Sequence, residues 1–270
     1  MVAHERCAAI LSALTAIEAE HEVRILFACE SGSRGWGFAS PDSDYDVRFL
    51  YVHPLPWYLR VRPQRAVIEQ PITGDLDING WELRKALGLL GKGNATLIEW
   101  LDSPIVYRAD PVFLQRLRAL AESVYQPERA FHHYVHMARG NYRDFLTREQ
   151  VRLKKYFYVL RPLLATLWIE QERGPVPMRF ETLAETLIDE PELRAAIEQL
   201  LVIKRSVGEA EVGAPLPILN AFIDHELTRL EAVMPPPTRP IDEAALDRLL
   251  LETVMRTASS ADSTETSNAE

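Results

Sequence analysis

Apolar residues near the start of the chain recur at Ile10, Leu14 and Ile17, with charged residues between them. Steps of three and four predict an amphipathic helix from about Glu5 to Glu20. The period then changes. "VRILFACE" (23–30) is a continuous apolar run bounded by Gly and Ser, which predicts a buried strand. The turn "SGSRGWG" and the polar stretch "FASPDS" lead into a second such run, "YDVRFLYV" (45–52). "RAVIEQ" and "DLDING" read as two more strands, separated by the Pro/Gly turn of "PITG". From Trp81 onward the pattern is helical: "WELRKALGLLG", "NATLIEWL", "PVFLQRLRALAESV", then a long helical stretch to about Glu172. Later helical periods are interrupted at "RGPVPM" and "VGAPLP", and prolines in "MPPPTRPID" precede a last helix. The expectation is an α+β chain: a small α/β domain over 1–120, an all-helical domain over 121–256, and a disordered tail over 257–270.

Composition changes this picture little. With 270 residues, 47% hydrophobic and 26% charged, the chain is an ordinary globular protein with material for a sizeable core. No apolar run reaches the roughly 18 residues of a membrane span, and no signal-peptide pattern is visible at the N-terminus. Cys7 and Cys29, without a CxxC, suggest neither a disulfide partner nor a zinc site. A cytoplasmic protein without membrane contact is expected. The net charge of −9 argues against bulk attraction to a long polyanion, although a local basic patch can still hold a triphosphate or an RNA end.

The candidate chemistry lies in "ESGSRGWGFASPDSDYDVRFLYV" (30–52). Alternate residues of a strand share a face, so Asp44, Asp46 and Arg48 point one way while Tyr45, Val47 and Phe49 point the other. Two carboxylates on one face can converge on a divalent cation. Gly32 and Ser33, just before them, allow close backbone approach, with N–H groups and a hydroxyl suited to phosphate oxygens. A lone D-x-D is more often a solvated acidic edge. "DLDING" shifts the balance, because Asp75, Asp77 and Asn79 alternate with Leu76 and Ile78 and offer a third carboxylate from a second strand. Three such groups suit a two-metal site that clamps the attacking and leaving oxygens of a phosphoryl displacement.

"GS" at 32–33 followed by "SDYD" at 43–46 resembles the signature of polymerase-β-type nucleotidyltransferases. With "INGWELRKAL", "IEWLDSPIVY" and "KKYFYVLRPLLATLWIE", the chain is similar to a bacterial subfamily of RNA-repair-pathway polymerase-β-like proteins. The resemblance covers about residues 23 to 182. It implies a short mixed sheet with helices, Mg²⁺ (or Mn²⁺), and transfer of a nucleoside monophosphate from an NTP. It further implies that Gly32 and Ser33 touch the triphosphate and that Asp44 and Asp46 bind metal. Asp77 is its third catalytic carboxylate and metal ligand, with Asp75 as the competitor. The acceptor stays open between an RNA end and a protein side chain, and a catalytically idle nucleotide-binding or partner-binding module is the reading from another class.

Several cations are candidates for the nucleotide. Arg48 either neutralises Asp46 or meets phosphate. Lys85, on the helix after the third carboxylate, is either a solvated lysine or a triphosphate contact. On a helix drawn through "REQVRLKKYFYVLRPLLATLW", Lys154, Tyr158 and Arg161 form one flank and Arg148, Arg152 and Lys155 another, which reads either as an anion-facing wall or as an ordinary charged surface. Pro162 predicts a kink or a new helix just after Arg161. His132 and His136 have metal-ligand spacing on a helix but no third ligand. Ser31 and Ser33 lack the G-x-S-x-G context of a hydrolase nucleophile.

Overall fold

The computed structural model describes residues 4–206, 212–238 and 240–267. Helix α1 (His4–His21) is followed by β1 (Arg24–Glu30), the short α2 (Gly32–Trp36), β2 (Tyr45–Val52), α3 (Leu55–Tyr58), β3 (Val67–Glu69) and β4 (Leu76–Glu82). Then come α4 (Leu83–Gly91), α5 (Ala95–Leu101), β5 (Val106–Ala109), α6 (Pro111–Ser123), α7 (Pro127–Phe145), β6 (Val151–Arg152) and α8 (Lys155–Glu170). The chain ends with α9 (Phe180–Leu187), α10 (Pro191–Ser206), β7 (Val212–Gly213), α11 (Pro217–Arg229) and α12 (Glu243–Ser267). No described helix is long and apolar enough to cross a membrane.

Five strands form one mixed sheet in the order β3-β4-β2-β1-β5. β2 and β4 run parallel, and the other neighbours are antiparallel. The strands expected from the sequence are all present. β5 was not expected, since the chain after Trp81 read as helix throughout; it is four residues long and pairs with β1.

Both faces of the sheet are covered. Ile10, Leu14 and Ile17 of α1 pack with Ile25, Ala28, Val47, Phe49 and Tyr51 on one face. On the other, Leu26, Phe27, Cys29, Leu50 and Val52 meet α4, α5, α6 and the start of α12. Neighbours Leu26 and Phe27 share that side because the β1–β2 register shifts between Ile25 and Phe27, a bulge that resets the alternation. The carboxylate face of β2 therefore becomes a core face further along, at Leu50 and Val52, and only its first residues look out of the core.

The remaining helices enclose a second core around α8, which is apolar nearly all round and carries Pro162 inside a single helix. Its first turn differs from expectation. α7 ends at Phe145, residues 146–150 make a bend, and Val151 and Arg152 pair with β7, so α8 begins only at Lys155. Arg148 and Arg152 are thus not part of the helix, and the two basic stripes drawn along it do not exist as stripes. α12 packs on α4 and α6 rather than on α7–α11, so the last helix returns to the first unit. It also runs on through residue 267, into the segment expected as a disordered tail; residues 268–270 lie outside the described residues.

The segment from Gly37 to Asp44 joins the units. Phe38 stacks on Phe157 of α8 with ring centroids 4.5 Å apart. Lys204 at the end of α10, buried, donates to Ser40 Oγ at 2.8 Å, and the hydroxyls of Ser40 and Ser43 lie 2.9 Å apart. Arg205 donates to the Gly37 carbonyl.

Candidate active site

Parallel pairing places Asp46 of β2 directly beside Asp77 of β4. Arg48, one pleat further along β2, reaches back to both: its Nη2 lies 3.2 Å from Asp46 Oδ1 and 2.7 Å from Asp77 Oδ2, while Nη1 meets the Asp77 carbonyl. A single guanidinium nitrogen thus holds two carboxylates together. Asp75 is elsewhere. Arg6 of α1 takes both its oxygens, at 2.5 and 2.6 Å. Of the two competitors for a third carboxylate, Asp77 is the one that shares a point with Asp46.

The turn before α2 closes on Asp46. Ser31 N–H donates to the Asp46 carbonyl at 2.8 Å, and Asp46 N–H donates to Glu30 Oε1 at 2.8 Å. Gly32 has φ +57°, and a Cβ there would stand 2.1 Å from Asp46 Oδ2. Only glycine allows the carboxylate this close to the backbone. Ser33 follows in the first turn of α2 and is buried. Asp44 is exposed, one residue ahead of β2. Arg34 fixes its backbone by donating to the carbonyls of Ser43 and Asp44, with its guanidinium 3.8 Å over the Tyr45 ring.

Glu30 was not singled out from the sequence. It is fully buried at the end of β1, hydrogen-bonded by Tyr107 Oη as well as by Asp46 N–H. Burial raises its pKa from 4.5 to about 7, with the two hydrogen bonds working against that rise. Its one visible signal is a carboxylate closing a strand whose last six residues are buried.

The expected cations divide. Lys155 opens α8, with Nζ 4.0 Å over Phe145 and 4.5 Å over Tyr158. Tyr158 meets Trp36 of α2 edge-on at 5.9 Å, so the start of α8, with Lys154 before it, adjoins the helix that Gly32 begins. Arg161 is a correction. It is buried, ion-paired with Glu99 at 2.8 Å, hydrogen-bonded to the Met178 carbonyl and seated over Trp36, so it joins the two units rather than lining a cleft. Lys85 is another. It leans toward Trp81, four residues beyond Asp77 on β4, which is about 13 Å along the strand and at the wrong end of it. Arg48 is held by the carboxylates of Asp46 and Asp77, as its neutralising alternative has it. His132 and His136 are exposed, with ring centroids 6.4 Å apart.

Magnesium takes hard oxygen ligands, and Asp46 and Asp77 offer carboxylate oxygens side by side. The described residues hold no group of three His, Cys, Asp or Glu spaced to cage an ion. Magnesium does not require one, since it is commonly held by one or two carboxylates together with substrate phosphates.

Residues 7–252 match the family described as the RNA repair pathway DNA polymerase beta family. A Bacillus subtilis (strain 168) protein described as uncharacterized protein YcgL is 46% identical over 247 residues, 91% of this chain and 95% of its own. A crystal structure of a nucleotidyltransferase-like protein from Exiguobacterium sibiricum 255-15 is 15% identical and covers 91% of this chain and 76% of that one, with a TM-score of 0.31. The family match spans the sheet, the carboxylates and the helical unit alike, and the chain belongs to the RNA repair pathway DNA polymerase beta family.

Proposed function

We propose that the protein is a Mg²⁺-dependent nucleotidyltransferase that moves a nucleoside monophosphate from an NTP to the terminal hydroxyl of an RNA. The observation that carries this reading is the in-register pair Asp46 and Asp77, with the Gly32 backbone packed against the Asp46 carboxylate. Asp44 and Asp46, with Asp77, would hold magnesium, or manganese in its place, which supplies charge neutralisation and a Lewis-acid grip on the attacking and leaving oxygens.

The chain's own residues do the rest. Gly32 and Ser33 bring the turn against the triphosphate, and Lys154 and Lys155 add positive charge from the start of α8. The acceptor oxygen attacks the α-phosphorus, the bridging bond to the β-phosphate breaks, and pyrophosphate leaves. Asp77 orients the acceptor hydroxyl and receives its proton. Arg48 sets the spacing of Asp46 and Asp77.

The family description favours RNA as acceptor over a protein side chain. Incubating the protein and Mg²⁺ with each α-labelled NTP and a mixture of RNA oligonucleotides tests the proposal. Labelled RNA is expected. Labelled protein in its place would move the acceptor to a side chain, and bound but uncleaved nucleotide would make this an idle binding module.

A further inference from the structure

The bend that replaces the first turns of the expected helix builds a pocket of about 320 Å³. Arg148, Arg152 and Lys155 line it, with Gln150, Asp144 and Val212 of β7. Among the described lining residues, Arg148 and Arg152 bring two guanidinium groups on separate backbone segments, and the carboxylate beside them, Asp144, is paired with Arg143 Nε at 2.9 Å. Such a concentration of positive charge is local, since the whole chain carries −9.

Its construction follows from the β6–β7 pairing. Val151 turns into the core and is buried, so the next residue of the strand, Arg152, turns out, and Arg148 is exposed on the bend before it. The pocket is also joined to the candidate active site. Its Lys155 lies over Tyr158, Tyr158 meets Trp36, and Trp36 closes the five-residue helix whose first residue touches the Asp46 carboxylate.

We infer that this pocket seats a backbone phosphate of a single-stranded RNA acceptor, upstream of the hydroxyl that reacts. The inference rests on the transfer reading given above and adds the place where the acceptor is held. Planar guanidinium groups suit paired hydrogen bonds to phosphate oxygens, and two of them on separate backbone segments fix a strand's direction as well as its charge. An RNA carries an anion at a fixed remove from its terminal hydroxyl. A protein side chain as acceptor brings none, so the charge complementarity favours nucleic acid.

Fluorescence anisotropy with a dye-labelled RNA oligonucleotide, at two salt concentrations, tests this on the full chain. The double variant Arg148→Ala/Arg152→Ala should bind RNA at least about tenfold more weakly, and its salt slope should fall by about 0.7, as loss of one neutralised phosphate on a single strand implies. NTP affinity, read by calorimetry on the same variant, should not change. Arg148→Lys/Arg152→Lys should restore most of the salt slope, since charge is kept. Unchanged RNA affinity in the alanine variant, or no RNA binding by the wild-type protein, overturns the inference. The transfer reading fails separately, by absence of labelled product with any acceptor, and RNA binding that depends on the two arginines would survive that failure.

Discussion

At Asp46 and Asp77 two carboxylates stand in register with one guanidinium between them. Replacing Arg48 by Met leaves two like charges side by side without their shared cation. Both are partly solvated, so the expected loss of stability is modest, about 1–2 kcal/mol. Added MgCl₂ should raise the melting temperature of Arg48→Met more than that of the wild type, because a divalent ion then replaces the lost charge. Equal shifts in differential scanning fluorimetry would detach these carboxylates from any cation site. A second residue-scale expectation concerns His53, which stacks on Trp57 at 4.2 Å and whose pKa burial, then Arg60, lowers from 6.5 to about 4. Between those values the unfolded chain takes the proton more readily than the folded one. This contribution is therefore present above about pH 6.5 and is lost as the pH falls toward about 4. The unfolding free energies of wild type and His53→Phe should converge or cross over that window, and a constant difference would refute the shift. At this scale the sequence was informative where chemistry alternates along a strand. The shared side of Asp46 and Asp77 could be read that way, whereas Asp44 lies one residue ahead of the strand. Glu30 could not, because nothing local says that its carboxylate will be walled in by Tyr107 from β5. Arg161 misled for the converse reason: a cation on a helix flank looks the same whether it faces phosphate or a buried Glu99.

Elements bring these residues to one place. The turn into α2 depends on Gly32, whose positive φ and missing Cβ both matter. Gly32→Ala should cost about 1–2 kcal/mol for the left-handed backbone alone and push the Asp46 carboxylate from its seat. Transfer should then fall further than stability does. Gly32→Asn, which tolerates the backbone but keeps the Cβ, should recover the backbone part of that stability and not activity; recovery of activity would place the carboxylate elsewhere. The loop before β2 is held from outside its own unit, by Lys204 on Ser40 and Arg205 on the Gly37 carbonyl. Lys204→Met should keep the sheet intact by circular dichroism while lowering turnover by about 10–100-fold, the scale of a small misplacement of reacting groups. Strands β1 and β2 were legible because they are long and largely apolar, and β4 because polar and apolar residues alternate along it, all bounded by turn residues. β5 and β6 were not. Each is short, and its place is fixed by a partner far along the chain, Cys29 with Val106 and Arg152 with Val212. Helical periodicity runs through "REQVRLKK", and the pairing with β7 overrides it.

Across the whole molecule, the order of a sheet-bearing unit and a helical unit was readable, but the return of α12 was not. An amphipathic pattern announces that a face is buried and leaves open what buries it. Leu246, Leu249 and Val254 lie in the core formed with Leu83, Leu87 and Leu117, beneath the sheet. A fragment of residues 1–120 should therefore lack a cooperative thermal transition and near-ultraviolet dichroism, since it leaves that core uncovered. A sharp, reversible melt from the fragment would mean that α12 is dispensable. The two units meet through the Phe38 stack, the Glu99–Arg161 pair and the Lys204 contact, all close to the segment that carries Asp44. The central claim is that the carboxylates at the mouth of β2 serve nucleotide transfer. Its most direct measurement is label transferred from α-labelled NTP to RNA in the presence of Mg²⁺, by wild type and by Asp46→Asn, with both proteins shown to be folded. The asparagine keeps the shape and removes the charge, so transfer should drop by about 10²–10³-fold or more with the melting temperature nearly unchanged. Transfer by Asp46→Asn at the wild-type rate would contradict the account.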